Sequence, residues 1–376
     1  MKKILVAAAL AVSSVLFVGC GGKPKVPANA VAAAYIDVDK AIWNAADVIE
    51  MMIGELPKER RKKAEEEFDK FVKEHKKDIS ALDADWMCAT VEPRKNSSSL
   101  DLAIVIKCDS KAKLPSVGAS LEELAAAALK KVDTINGCDV YAYLESGFGS
   151  PLHQFAGCNG MCIAFVDGKY VVCTSVKGFV NDEAKAFANR MIDLYKDGKG
   201  DTSDDFGDLA DIEDDAVARI QVAEAGTIAD ILGVRDDIEK FGEEIDDEDL
   251  AEMLLDVENV TLDVNLSDDI VGLVLNVDAG SRELAKVVES AFNVLQFASR
   301  VWSSVGVAAL NDSMNKVLSA FYGSSKKAKG EALKAFGKQA REAVDVDRSG
   351  STATLTVEFD TEDLLEAVVP AMLEGE

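Results

Sequence analysis

The spacing of apolar positions changes several times along the chain, and each change marks an element. Val31 to Val38 is an apolar extended segment. From about Asp39 to Gly54 the period becomes helical, with Ile42, Ala46, Ile49 and Ile53 on one side. Pro57 opens a second, highly charged helix over Lys58 to Lys77. Trp86 to Glu92 and Leu100 to Cys108 then predict a hairpin. A helix begins at Glu123-Leu124-Ala125. Hairpin strands are expected at Val140 to Leu144 or Met161 to Val166, with Tyr170 to Thr174, before a helix over Asn181 to Tyr195.

The same order returns from residue 216. Ala216 to Val222 is extended, Ala223 to Gly233 is helical, and Val234 to Asp256 is a charged helix. A hairpin of Val257 to Leu266 with Ile270 to Val277 follows, then a helix from Glu283. The end of the chain repeats the pattern with Glu342 to Val346, Thr352 to Phe359, and a helix over Thr361 to Leu373. Ala46-Asp47-Val48-Ile49 is echoed by Ala229-Asp230-Ile231-Leu232. A repeated supersecondary order argues for duplication. Strands that arrive as hairpins with helices between them predict an α+β fold: two related halves of antiparallel sheet with packed helices.

The expected divisions are residues 30–196 for the first repeat, 197–215 for an acidic linker, and 216–376 for the second repeat. The second repeat carries a helical insertion at about 292–341. Within it Phe292 to Phe321 is unusually apolar, and Ser324 to Arg341 reads as a basic helix. That apolar stretch is either ordinary core or one wall of an apolar pocket marked by Phe292, Phe297 and Trp302.

At the N-terminus, Met1-Lys2-Lys3 precedes an uncharged, mostly apolar run from Ile4 to Val18, too short for a stable membrane span. The run ends in Leu16-Phe17-Val18-Gly19-Cys20, which resembles the lipobox of bacterial lipoproteins, with Phe17 where that family usually has Leu. The resemblance implies a leader of residues 1–19, lipidation of Cys20, and a membrane anchor in the cell envelope. Gly21 in place of Asp implies the outer membrane. Residues 20–29, with Gly21-Gly22-Lys23-Pro24-Lys25-Val26-Pro27, have the composition of a flexible tether.

The chain has 376 residues, 48% hydrophobic and 29% charged, which is enough for a large core and excludes disorder. Its net charge of −26 opposes nucleic-acid binding. Apart from Cys20, six cysteines remain: Cys88, Cys108, Cys138, Cys158, Cys162 and Cys173. In an exported chain they permit disulfides. A two-residue turn at Asp167-Gly168 would set Cys162 opposite Cys173, and a modest register choice would bring Cys88 beside Cys108. The alternative is that several are free, buried, small apolar residues.

Thiolate zinc is poorly supported, because Cys158, Cys162 and His153 lack a second close pair. His75 reads as part of a solvated helix face. Neither G-x-S-x-G nor G-x-x-x-x-G-K-[ST] occurs. In the acidic stretch, Asp201, Ser203 and Asp205 fit a calcium loop, but Phe206 stands where glycine is needed and Ile212 where the bidentate Glu belongs. No cofactor is expected, with calcium as the alternative.

These observations favour a non-catalytic envelope lipoprotein that binds a protein partner or serves as a scaffold. The alternatives are a carrier of a lipid or other apolar ligand and a carboxylate-based hydrolase. Two buried carboxylates facing each other in a cleft would mark the hydrolase.

Overall fold

The computed structural model describes residues 23–56, 58–82, 84–94, 100–108, 130–144, 160–176, 180–223, 226, 235–236, 255, 257–305, 339 and 343–365; the side chains at 71, 73–84, 143–144 and 298–305 are not among those described. Among these residues, twelve strands form one sheet. In chain order they are β1 (Ala32–Asp37), β2 (Ala84–Pro93), β3 (Leu100–Cys108), β4 (Lys130–Ile135), β5 (Cys138–Leu144), β6 (Gly160–Val166), β7 (Tyr170–Val176), β8 (Ala216–Ala223), β9 (Asn259–Leu266), β10 (Ile270–Asp278), β11 (Val344–Ser349) and β12 (Thr352–Asp360). Across the sheet the order is β11-β12-β10-β9-β8-β1-β2-β3-β7-β6-β5-β4. Every neighbouring pair is antiparallel. The architecture is mixed α+β, as the hairpin-rich pattern predicts.

Among the described residues, four α-helices accompany the sheet: α1 (Val38–Gly54), α2 (Lys58–Leu82), α3 (Asp182–Lys196) and α4 (Arg282–Val305). The Asp37 carboxylate accepts from the Lys40 N–H at 3.0 Å and starts α1. Ile53 of α1, with Ala46 and Ile49, packs on Ala64 and Phe68 of α2, so three of the four residues of the predicted apolar stripe lie in the seam between these helices, and Ile42 is buried outside that cluster. Asn181 caps α3 through the Ala184 N–H at 3.0 Å, and Ser281 caps α4 through Leu284 at 3.2 Å. The predicted insertion boundary at 292 falls inside α4, which runs unbroken through it.

Paired residues share a face, so the registers define rows across all the strands. One row reads Asp345, Thr356, Val274, Asp263, Arg219, Tyr35, Cys88, Val105, Val172, Ala164, Val140 and Asp133. From Tyr35 to Val140 it is buried under α3, which contributes Phe187, Met191 and Ile192. The adjacent row faces the other way and is apolar as far as β5, ending in Lys131 on the β4 edge: Val346, Leu355, Leu275, Leu262, Ile220, Ala34, Ala89, Ile104, Cys173, Ile163, Tyr141 and Lys131. Leu284, Ala285, Val288 and Phe292 of α4 form a core with Leu275, Leu355 and Val346 at its far end. The two helices therefore cover opposite faces of one sheet.

On the α3 side, the far part of the sheet carries a polar ladder. Arg219 grips Asp263 through Nε–Oδ1 at 2.6 Å and Nη2–Oδ2 at 2.9 Å. Thr354 Oγ1 donates to Asn276 Oδ1 at 2.8 Å. Asn265 Nδ2 donates to Glu358 Oε1 at 2.7 Å, although β10 lies between their strands. Gly272 permits that crossing: a Cβ there would stand 2.7 Å from Glu358 Cγ and 2.4 Å from the Val357 carbonyl oxygen.

Candidate functional site

A cleft of about 420 Å³ opens where the N-terminal segment crosses the start of the acidic stretch. Pro27, Ala28 and Asn29 form one side. Arg190, Met191, Asp193 and Leu194 of α3 form another, Lys199 to Asp201 a third, and Glu92 at the end of β2 belongs to the wall.

The segment read as a flexible tether is docked over its described part. Val26 is buried in the main core. The Lys25 N–H donates to the Tyr195 hydroxyl at 3.0 Å, and that hydroxyl donates to the Lys25 carbonyl at 2.8 Å. Lys25 Nζ donates to the Leu194 carbonyl at 3.0 Å. Pro27 forms a bridge with Thr202, closed by Ala28 N–H to Asp201 O and Ser203 N–H to Val26 O, each at 3.0 Å. Composition suggested slack chain, but an apolar Val26 and a hydroxyl partner for Lys25 hold it down.

The acidic stretch is likewise fastened to the body. Phe206 and Leu209 are buried, Gln221 Nε2 donates to the Asp205 carbonyl at 2.6 Å, and Arg219 Nη1 donates to the Asp208 carbonyl at 3.1 Å. Two apolar residues in an Asp-rich run were the available sign that it packs.

Glu92 is the unusual group. Its side chain is 3% exposed, and Oε2 accepts from Arg190 Nη2 at 3.0 Å while Arg190 is 56% exposed. Among the described residues, Oε1 has no hydrogen-bond partner. Burial raises the Glu92 pKa above the usual carboxylate range; Arg190 acts against this and Asp101 adds to it. Asp101 is the direct cross-strand neighbour of Glu92 on β3 and is held by Arg94 Nε at 3.1 Å. Two carboxylates thus face each other, each with its own arginine, but only Glu92 reaches the cleft. A second buried pair, Lys107 with Asp85, lies near the start of β2 and the end of β3.

Glu92 and Arg190 are 98 residues apart, so no local motif joins them. One signal was available: Trp86, Cys88, Thr90 and Glu92 fall on the same strand phase, which sets a carboxylate among inward positions.

The expected cysteine pairs do not form. Asp167 and Gly168 take the positive φ values of a tight turn, 52° and 67°, and the Lys169 N–H closes it on Val166 O at 3.0 Å. Strand pairing nevertheless begins with Val166 opposite Tyr170, leaving Lys169 as an extra residue. The register moves by one, so Cys162 faces Thr174 and Cys173 faces Ile163, on opposite sides of the sheet. Cys88 pairs with Val105, and Cys108 with Ala84. Among the described residues, neither these four nor Cys138 forms a disulfide. Burial pushes the Cys88 and Cys173 thiols up to about 12 and Cys162 to about 11.

Phe292 and Phe297 do not line a common pocket. Phe292 is in the α4 core, whereas Phe297 is 69% exposed. Trp302 is within α4, with its side chain outside the described residues. Ser203 Oγ donates to Asp205 Oδ2 at 3.0 Å and caps a 3₁₀ turn over Asp204–Phe206, while Asp201 receives the Ala28 N–H on its backbone oxygen. Among the described residues, no three His, Cys, Asp or Glu side chains converge to hold a metal, and no helix is long and apolar enough to cross a membrane. Cys20, Cys158, His153 and most of the segment from Ser324 to Arg341 lie outside the described residues.

No family model matches the chain, and no curated protein matches it. It is similar to solved structures of TP0453. Crystal form I is 8% identical, with 94% of this chain and 98% of that chain covered and a TM-score of 0.38. Crystal form III is 8% identical over 93% and 99%, with a TM-score of 0.40. Crystal form IV is 9% identical over 92% and 94%, with a TM-score of 0.38.

Proposed function

We propose that this chain is an outer-membrane lipoprotein, anchored through a lipid on Cys20, whose two related halves form a non-catalytic module that binds a protein partner. The observation that carries the binding role is the free side of α4. Val294, Leu295 and Phe297 are 65%, 55% and 69% exposed, although the same helix buries Leu284, Ala285, Val288 and Phe292. Large apolar side chains grouped on a surface favour contact with another protein.

Two further observations support the rest of the reading. Outward from the β1–β8 seam, one side runs β1-β2-β3-β7-β6 and the other β8-β9-β10-β12-β11. Each is a strand, a hairpin and a second hairpin entered by its later strand, as expected of related halves. The β4–β5 hairpin extends the first. Docking from Lys23 onward leaves two residues, Gly21 and Gly22, between Lys23 and Cys20, a reach of about 11 Å at full extension. This would hold the module against the membrane surface.

A photo-crosslinking residue in place of Phe297, in the full chain in its native envelope, is expected to capture one discrete protein. Phe297→Glu should abolish capture from a crosslinker at Leu295. No discrete adduct would reject the binding role. Cys20→Ser is expected to release the protein from the membrane fraction, and retention there would reject the anchor.

A further inference from the structure

The cleft by Glu92 offers chemistry that neither the anchor nor the exposed side of α4 uses. A buried carboxylate oxygen without a partner is costly, because its lost hydration is not replaced. Glu92 Oε1 is in that position, while Oε2 is occupied by Arg190. The missing partner is a hydrogen-bond donor, and a charged donor offsets the desolvation most.

The rest of the wall narrows its nature. Arg190 and Lys199, 56% and 75% exposed, are its cations. They suit an anionic group, while Glu92, with Asp193 and Asp201 of the same wall, suits a cationic one. Met191 and Leu194 supply apolar surface between α3 and the N-terminal segment. A bare metal ion fits poorly, since it requires several converging oxygens and no three acidic side chains converge among the described residues. A simple anion would meet Glu92, with Asp101 directly beside it. The cleft volume of about 420 Å³ falls within the range of small-ligand sites.

We propose that this cleft binds a small zwitterion of the amino-acid or short-peptide class, its ammonium donating to Glu92 Oε1 and its carboxylate held between Arg190 and Lys199. A cation on Oε1 would act on Glu92 as Arg190 already does on Oε2, favouring its charged form.

The test is calorimetric titration of the full chain, in detergent, with trialanine, N-acetyltrialanine, trialaninamide and L-alanine. Trialanine is expected to bind saturably at one site. N-acetylation, which removes the ammonium, should weaken it about tenfold or more, as should Glu92→Gln. Lys199→Gln, a surface change that leaves the core intact, should weaken trialanine by about two- to fivefold without altering trialaninamide. L-alanine binding as tightly as trialanine would assign the site to free amino acids, and weaker binding would assign it to peptides.

Absence of saturable binding by both zwitterions would overturn the proposal. So would equal affinity for trialanine and its acetylated form, or unchanged affinity in both Glu92→Gln and Lys199→Gln. These readouts do not depend on Phe297 or on lipidation, so the proposal can fail while the partner-binding reading stands.

Discussion

Along the row through Tyr35, the two ends of the sheet differ. From Tyr35 to Val140 the side chains are apolar or weakly polar and sit beneath α3. From Arg219 to Asp345 the row carries Arg, Asp, Val, Thr and Asp; Arg219 is bonded to Asp263, and on the same face Thr354 is bonded to Asn276 and Asn265 to Glu358. The antiparallel backbone ladder is alike at both ends. What differs is the source of cohesion: a helix removes apolar surface from water at one end, and hydrogen-bonded cross-strand partners hold the other. On the reverse face the adjacent row is apolar from Val346 to Tyr141, so the polar ladder is a local property of one face.

The strongest way to break this comparison is to truncate the helix-covered end. Met191 is 1% exposed, and Met191→Ala is expected to cost about 2–5 kcal/mol, measured as a lowered urea midpoint at constant slope. A cost near zero would mean that α3 does not secure that end. Gly272→Ala comes next, at about 1–3 kcal/mol, because its Cβ would overlap Val357 O and displace Glu358 from Asn265. The same measurement should then show no added loss when Asn265→Ala is combined with it beyond what that change costs alone. Thr354→Val removes one ladder bond and should cost about 0.5–1.5 kcal/mol. If it costs as much as Met191→Ala, the distinction between the ends collapses.

The smallest effect is a slope. Because the folded-state pKa of Glu92 is raised, between the ordinary carboxylate pKa and that raised value the folded chain holds a proton that the unfolded chain has released. Stability therefore falls as pH rises through this interval. Glu92→Gln is expected to flatten that part of the curve, read from urea midpoints at successive pH values. An unchanged slope would place the proton elsewhere.

Much of the fold was legible because short-range periodicity suffices for hairpins and amphipathic helices. Ala46, Ile49 and Ile53 marked the α1–α2 seam, and Trp86 to Glu92 with Leu100 to Cys108 gave β2 and β3. The β4–β5 hairpin was missed, although Asn136-Gly137, with φ of 47° and 76°, is a strong turn signal. Its strand Lys130–Ile135 is short and charged, as exposed edge strands often are, and so lacks an apolar run. The cysteine register failed for a different reason. A single extra residue, Lys169, leaves the turn recognisable and reverses which side chains share a face. The cleft was least legible, because Glu92, Arg190 and Pro27 meet only after the whole first half has folded.

The docked N-terminal segment has a mechanical consequence. Any load applied upstream of Lys23 meets the Lys25–Tyr195 bonds and the Pro27–Thr202 bridge before it reaches β1. Beyond the bridge, Val31 is tied on both sides, its N–H to Val91 O at 2.9 Å and its carbonyl to the Ala223 N–H at 3.0 Å. These fastenings act as strain relief does on a cable. A tug is spent on peeling a short strap from α3 and the acidic stretch, while the seam between β1 and β8 stays unloaded.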